Sequence, residues 1–233
     1  MALTVVTGGS GRLGTALRPY FSDALFPTRA ELDVANPNSI NRYFSARSVG
    51  CIVHLAAETR YDAPWDLLVR TNIVGTAQIA LVAQKQGARC VYTSTDYVYP
   101  GLTGGYREDS PVAPVGRYGL SKYGGEASVA PLDNACIIRG SWYAALAWDV
   151  GAVDAYTSRV PVSVAAHWVA TLARSTVTGV WNVGGTRRSF YEIGVSEGHP
   201  RLRPVSRTEL KLPYPLPPDS SVDTTKMRAY GLR

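Results

Sequence analysis

The stretch Leu3-Thr4-Val5-Val6-Thr7-Gly8-Gly9-Ser10-Gly11-Arg12-Leu13-Gly14 decides the fold. Its first five residues read as a buried strand, the glycines as a turn, and Arg12 as the start of a helix. Gly8, Gly11 and Gly14 fall where a tight turn, a close backbone approach and helix packing each exclude a side chain, and the N-terminus of the following helix faces an anion. Glycine-rich turns are common, but one that directly follows the first strand and opens a helix is a more specific signal of dinucleotide binding, with Arg12 and Leu13 in the turn as part of the site.

Working outward, a second strand is expected over residues 24–28 and a third at Cys51-Ile-Val-His-Leu55, a short apolar run of the kind parallel strands show when both faces are covered. Val69, Ile73, Ala77 and Leu81, each four apart, mark the buried stripe of a helix ending near Gly87. Another strand is expected over 89–94, a helix over 118–130 and a strand over 136–139. This alternation predicts an α/β fold, a doubly wound, Rossmann-like parallel sheet with ligands at the carboxyl ends of its strands. After residue 139 the pattern weakens to a helix over 163–174, a short strand over 180–183 and a proline-rich run over 211–218, for which a linker to a loose tail is one reading. The expected partition is a dinucleotide-binding domain over 1–140 and a small, partly discontinuous substrate-binding portion over 141–233.

Composition permits an ordinary enzyme. The 233 residues are 45% hydrophobic and 18% charged, enough to bury a sizeable core. The net charge of +6 comes from scattered Lys and Arg with no basic run, which speaks against nucleic acid and suits an anionic nucleotide ligand. Cys51, Cys90 and Cys136 are odd in number and widely spaced, so neither a disulfide framework nor a metal site is expected. The chain opens straight into a strand without a leader, and its most apolar later stretch, 142–156, is short and broken by Asp149 and Asp154. A cytoplasmic protein with no membrane segment is the expectation.

The chemistry is carried by Tyr118-Gly-Leu-Ser-Lys122. A lysine four residues on shares a helical face with the tyrosine, where its charge favours the phenolate and is expected to tune Tyr118 towards proton exchange near neutral pH. Thr95, just past the 89–94 strand, supplies a second hydroxyl for a substrate carbonyl. For the cofactor, NADPH is preferred because the second strand closes on Thr28-Arg29 without a carboxylate, leaving a guanidinium to grip a 2′-phosphate. NADH remains open, with Glu31 or Asp33 as the ribose ligand. His54 is expected to be a hydrogen-bonded core group, and His167 and His199 have no motif around them.

These motifs bear a wider likeness. Through Thr7-Gly-Gly-Ser-Gly-Arg-Leu-Gly14, His54-Leu-Ala-Ala57, Asn72 and Tyr118-x-x-x-Lys122, the first 140 residues resemble the extended short-chain dehydrogenase/reductase superfamily. Within it, Ser94-Thr-Asp-Tyr-Val-Tyr99, Tyr118-Gly-Leu-Ser-Lys-Tyr-Gly-Gly-Glu126, Arg139-Gly-Ser-Trp-Tyr143, Leu32-Asp-Val and Ser221-Val-Asp-Thr-Thr-Lys226 are similar to the dTDP-4-dehydrorhamnose reductase family. The resemblance implies hydride transfer from NAD(P)H to the C4 ketone of a nucleotide-linked 4-keto-6-deoxy sugar, as in dTDP-rhamnose biosynthesis, with Thr95, Tyr118 and Lys122 as the triad. It further implies cofactor contacts at Arg29, Asp33, Val34, Leu55, Ala56, Ala57 and Asn72, and substrate contacts at Thr59, Asp96, Tyr97 and Trp142. The region after Trp142 is shorter than such reductases usually carry. A nucleotide-sugar 4-epimerase that retains NAD, and a non-catalytic regulatory subunit like the reductase-like partner of methionine adenosyltransferase, stand as alternatives. A homo-oligomer is plausible.

Overall fold

The computed structural model describes residues 3–144, 149–199, 201–212, 214 and 216–232. Residues 145–148 of the apolar 142–156 stretch, and Pro213 and Pro215 of the proline-rich run, lie outside them. Five parallel strands form the central sheet in the order β1 (Leu3–Thr7), β2 (Val49–His54), β3 (Arg89–Thr93), β4 (Ala135–Gly140), β5 (Gly179–Val183). The strand expected over 24–28 is a single parallel bridge, Val5 to Leu25, held by Val6 N–H to Leu25 O at 2.8 Å and Leu25 N–H to Thr4 O at 2.9 Å. Pro27, which has no N–H to give, follows at once, so the ladder stops there. The chain thus leaves β1 to one side and returns to pair β2 on the other, and the carboxyl end of β1 lies at a switch point where such sheets bind ligands.

Successive residues of each strand feed opposite faces, and both faces are apolar. Val6, Val53, Val91 and Ile138 pack against α1 (Arg12–Leu17) and the helix Val162–Arg174, through Leu13, Leu17, Ala165, Val169 and Leu172. On the other face Val5, Ile52, Cys90, Tyr92 and Ile137 pack with Ile40, Ile79, Ala83 and Val129. These come from α2 (Pro37–Ser45), α3 (Trp65–Gln86, π-helical over Val69–Gly75) and α4 (Gly116–Val129); Val162–Arg174 is α5. The three cysteines sit in β2, β3 and β4 as free thiols, and burial pushes all three above the usual thiol range.

The stripe expected on α3 is one register off. The buried face is Leu68, Asn72, Thr76, Ile79 and Ala83, while Leu81 is exposed. Through the wider π-helical turn a spacing of four stays close to one face, and Leu68, Asn72 and Thr76 occupy the inward one, each a residue before Val69, Ile73 and Ala77; two of these inward residues are polar. Asn72 Nδ2 donates to Ser121 Oγ at 2.9 Å, and Thr76 Oγ1 bonds His54 Nε2 at 3.1 Å. Among the described residues α3 is the one helix long and apolar enough to cross a bilayer, yet its inward face is fitted to the sheet and to α4.

The chain crosses the expected boundary at 140 and comes back, because α5 and β5 belong to the main sheet layers. What remains apart is built from short pairs: Trp142–Tyr143 with Val160–Pro161, Val150–Ala152 with Arg203–Val205, and Tyr156–Thr157 with Arg188–Ser189. The helix Phe190–Ser196 starts with a capping box between Ser189 and Glu192. The proline-rich run is no loose tail, since Leu216 is buried with Ala152, Ala155 and Phe190.

Candidate active site

The turn after β1 needs its glycines for space. Gly8 has φ +69°, and a Cβ on it would stand 2.8 Å from Ala56 N; one on Gly14 would stand 2.5 Å from Gly8 O. The helix that follows starts at Gly11 without a side-chain cap, which leaves its first-turn N–H groups to an anion. Arg12 and Arg29 line the same end of the cleft. Arg29 is exposed and sits 3.6 Å from Asp33, while Glu31 folds back onto Thr28, accepting from its N–H and its hydroxyl at 2.8 Å each. That donor set fits a phosphate-bearing nucleotide.

From this end a cleft of about 670 Å³ runs along the carboxyl edge of the sheet. Gly8, Gly11, Arg12, Leu13, Gly14, Arg29, Asp33, Val34, Leu55, Ala56 and Ala57 line it, followed by Thr59, Thr95, Tyr118, Lys122 and Trp142. Three residues expected in the site lie behind the wall. Asn72 is fully buried and ties Glu58 to α4, accepting from Glu58 N–H and donating to Glu58 O and Ser121 Oγ, each at 2.9 Å. Asp96 is buried beneath Thr95, and Tyr97 lies under Tyr61 with ring centroids 5.4 Å apart. All three reach the cleft only through a neighbour.

The helix α4 carries Tyr118 and Lys122 into the middle of the cleft. Val115 N–H donates to Tyr97 O at 2.8 Å, Ser121 Oγ donates to Tyr118 O at 2.8 Å, and a buried ion pair joins Arg139 of β4 to Glu126 at 2.7 Å. Tyr99 and Asn182 complete that network. Removing one partner of such a pair leaves a buried charge, so the network fixes the helix to the sheet.

The electrostatics differ from the expectation for Tyr118. Its phenol is held well above the usual range, by burial first and then by the charge of Asp96. The Lys122 ammonium lies 4.2 Å from the centroid of Tyr92, and burial pulls its own pKa down to about 7, with Glu126 opposing. At neutral pH about half of such a lysine is uncharged, so it favours a phenolate less than an ordinary lysine would. His54 is the core group expected: bonded to Thr7 Oγ1 at 2.7 Å and to Thr76, it is held neutral, down to about 3, by burial and by Lys122.

Several lining residues carry no motif. Tyr61 stands edge-on to Tyr118 at 5.1 Å, and Tyr214 from the proline-rich run stacks on Tyr61 at 3.9 Å. Arg159 lies beside Ser141, with Phe190 under its guanidinium at 4.4 Å. Glu58 and Ser94 were legible only as neighbours of Ala57 and Thr95. Tyr214 and Arg159 come from distant segments that nothing local marks.

Comparison with known proteins bears on the family and the fold. The family described as "RmlD substrate binding domain" matches residues 1–148. A dTDP-4-dehydrorhamnose reductase of Streptomyces griseus is 28% identical, covering 98% of this chain and 88% of that one. The alignment runs over 268 positions, more than the 233 residues here, so this chain lacks segments that the relative has. A crystal structure of dTDP-4-dehydrorhamnose reductase from Bacillus anthracis in complex with NADP superposes with a TM-score of 0.89 at 26% identity, covering all of this chain and 94% of that one. Methionine adenosyltransferase 2 subunit beta of Xenopus laevis is 30% identical over 54% of this chain and 42% of its own length.

Proposed function

Because the chain belongs to the RmlD substrate binding domain family, we propose that it is an oxidoreductase that reduces the C4 ketone of a nucleotide-linked 4-keto-6-deoxy sugar with NADPH. The observation that carries this reading is that Thr95, Tyr118 and Lys122 meet midway along one cleft, between the glycine turn and Trp142. Gly8 to Gly14 and Arg29 would hold the dinucleotide and Lys122 its nicotinamide ribose. Reduced nicotinamide, when bound, supplies a hydride. As negative charge develops on the carbonyl oxygen, Tyr118 donates its proton there. A phenol held above its ordinary pKa is fully protonated at neutral pH and suits that direction of transfer. Incubation with NADPH and a panel of 4-keto nucleotide sugars, followed by nicotinamide absorbance, tests the reading: consumption of NADPH supports it, and none with any sugar overturns it.

The alternatives have less behind them. An epimerase retains its cofactor and turns over without added reductant, which the same assay distinguishes. The regulatory-subunit relative matches only about half of this chain, whereas the reductase spans nearly all of it. Three free thiols in adjacent strands suit the reducing cytoplasm, the compartment we assign.

Cofactor preference rests on Arg29. Its pairing with Asp33 is exposed, so a 2′-phosphate can compete for the guanidinium at little cost. Arg29→Ala is expected to raise the KM for NADPH far more than that for NADH. Equal effects on the two would assign the ribose to Asp33 instead.

At the other end, Trp142 offers an aromatic face to the apolar side of a sugar ring. Trp142→Ala is expected to weaken substrate use by about 1–3 kcal/mol while leaving the NADPH dissociation constant almost unchanged. A variant that folds and reduces the sugar normally would remove Trp142 from the sugar site.

A further inference from the structure

We propose that Tyr61 and Tyr214 form an aromatic wall against which the sugar ring of the substrate lies, taking the contact expected of Tyr97. The proposal deepens the reductase reading and rests on it. Tyr97 is 1% exposed and the Tyr61 ring covers it, 5.4 Å away between centroids, so a sugar in the cleft meets Tyr61 first. Tyr61 and Tyr214 both line the cleft. Their rings are stacked, with centroids 3.9 Å apart and planes 25° from parallel, so the two act as one surface. Position makes the sugar the group that touches it. Tyr61 stands edge-on to Tyr118, 5.1 Å between centroids. The ketone that takes the Tyr118 proton is at C4, a ring atom of the sugar, so a ring placed for that transfer has Tyr61 as its neighbour.

The chemistry of the wall agrees with that occupant. Burial, and then the phenols of Tyr97, Tyr118 and Tyr214, hold Tyr61 well above the usual tyrosine range; burial also raises Tyr214, with Arg159 opposing. Both rings are uncharged at neutral pH, and an uncharged aromatic ring suits the apolar C–H face of a sugar. The fold itself holds them in place. Glu58, three residues before Tyr61, exchanges two hydrogen bonds with Asn72 at 2.9 Å each, and Ala63 N–H donates to Arg60 O at 3.3 Å, closing a turn around Tyr61. The run that carries Tyr214 is fixed at both ends. Ser206 Oγ donates to Asp154 Oδ2 at 2.7 Å, and Leu216 is buried, its carbonyl accepting from Arg207 at 3.3 Å. Side chains ordered in advance lose little entropy when a ligand settles on them.

The test is calorimetric and needs no turnover. With NADP bound, the full chain is titrated with dTDP-rhamnose, the 4-hydroxy sugar of the reductase reading, and with dTDP, which has the same nucleotide and no sugar. The parent should bind dTDP-rhamnose more tightly than dTDP. Tyr61→Ala should weaken dTDP-rhamnose by about tenfold, the scale of a lost buried side-chain contact, and leave the dissociation constants of dTDP and NADPH near those of the parent. Tyr61→Phe, which keeps the ring and its stack, should stay close to the parent. Tyr214→Ala should weaken dTDP-rhamnose by roughly threefold, the scale of an aromatic contact, and carries the test if Tyr61→Ala does not fold. A parent that binds the two ligands alike overturns the proposal, as does a folded Tyr61→Ala or Tyr214→Ala protein that still prefers dTDP-rhamnose by the parental ratio. Failure of the reductase reading looks different: dTDP-rhamnose binds with the sugar preference and the variants lose it, yet no 4-keto nucleotide sugar consumes NADPH.

Discussion

Replacing Tyr118 with phenylalanine is expected to lower turnover by at least about a hundredfold, the scale of general acid catalysis, while NADPH still binds. The substitution removes one oxygen and its proton and keeps the ring that packs edge-on against Tyr61. Tyr118 lines the cleft between the glycine turn and Trp142, so the loss should fall on kcat and on kcat/KM alike rather than on the cofactor dissociation constant. Nicotinamide absorbance gives the rate, and quenching or enhancement of NADPH fluorescence gives the binding. Near-normal turnover would take the acid role away from Tyr118.

What the sequence made legible is what the chain encodes locally. The glycine turn could be read because steric exclusion acts within seven residues: Gly8 must take a positive φ, and Gly14 must sit against Gly8 O. Strands β1 to β4 could be read because, covered on both faces, they are short apolar runs. The second strand could not be bounded, since a single bridge at Leu25 is decided by its partner Val5 and not by its own residues. The buried face of α3 was missed because Asn72 and Thr76 are buried for the hydrogen bonds they make to Ser121 and His54, which hydrophobic periodicity does not register. In the site, motif position separated wall from interior poorly. Thr95 and Asp96 are neighbours in sequence, yet one lines the cleft and the other lies beneath it, bonded to Ser220 from the far end of the chain. The state of Lys122 was misjudged for the same reason. Spacing gives its face on α4, but only the surrounding packing says how much burial weakens its charge.

That burial makes Lys122→Met the variant with two opposed effects. Losing the ammonium should remove a charge-assisted hydrogen bond to the nicotinamide ribose, worth about 1.5–3 kcal/mol, or roughly 10–100-fold in kcat/KM with NADPH. Stability should move the other way. In the folded chain Lys122 titrates near 7, below the 10.5 of an ordinary lysine. Between those two values the unfolded chain holds a proton that the folded chain has released, so unfolding takes up a proton and the stability of the parent rises with pH. Relative to Lys122→Met the slope should approach about 1.4 kcal/mol per pH unit across that window and flatten below pH 7, where both states are protonated and the burial penalty is complete. The methionine protein, whose unbranched thioether fills similar space without a charge, should therefore be the more stable of the two at pH 6 and lose that lead as the pH is raised. Urea unfolding of both proteins without cofactor at several pH values measures the gap. A gap that does not change with pH would mean that Lys122 keeps an ordinary pKa in the fold, and its charge would then be available to Tyr118 after all.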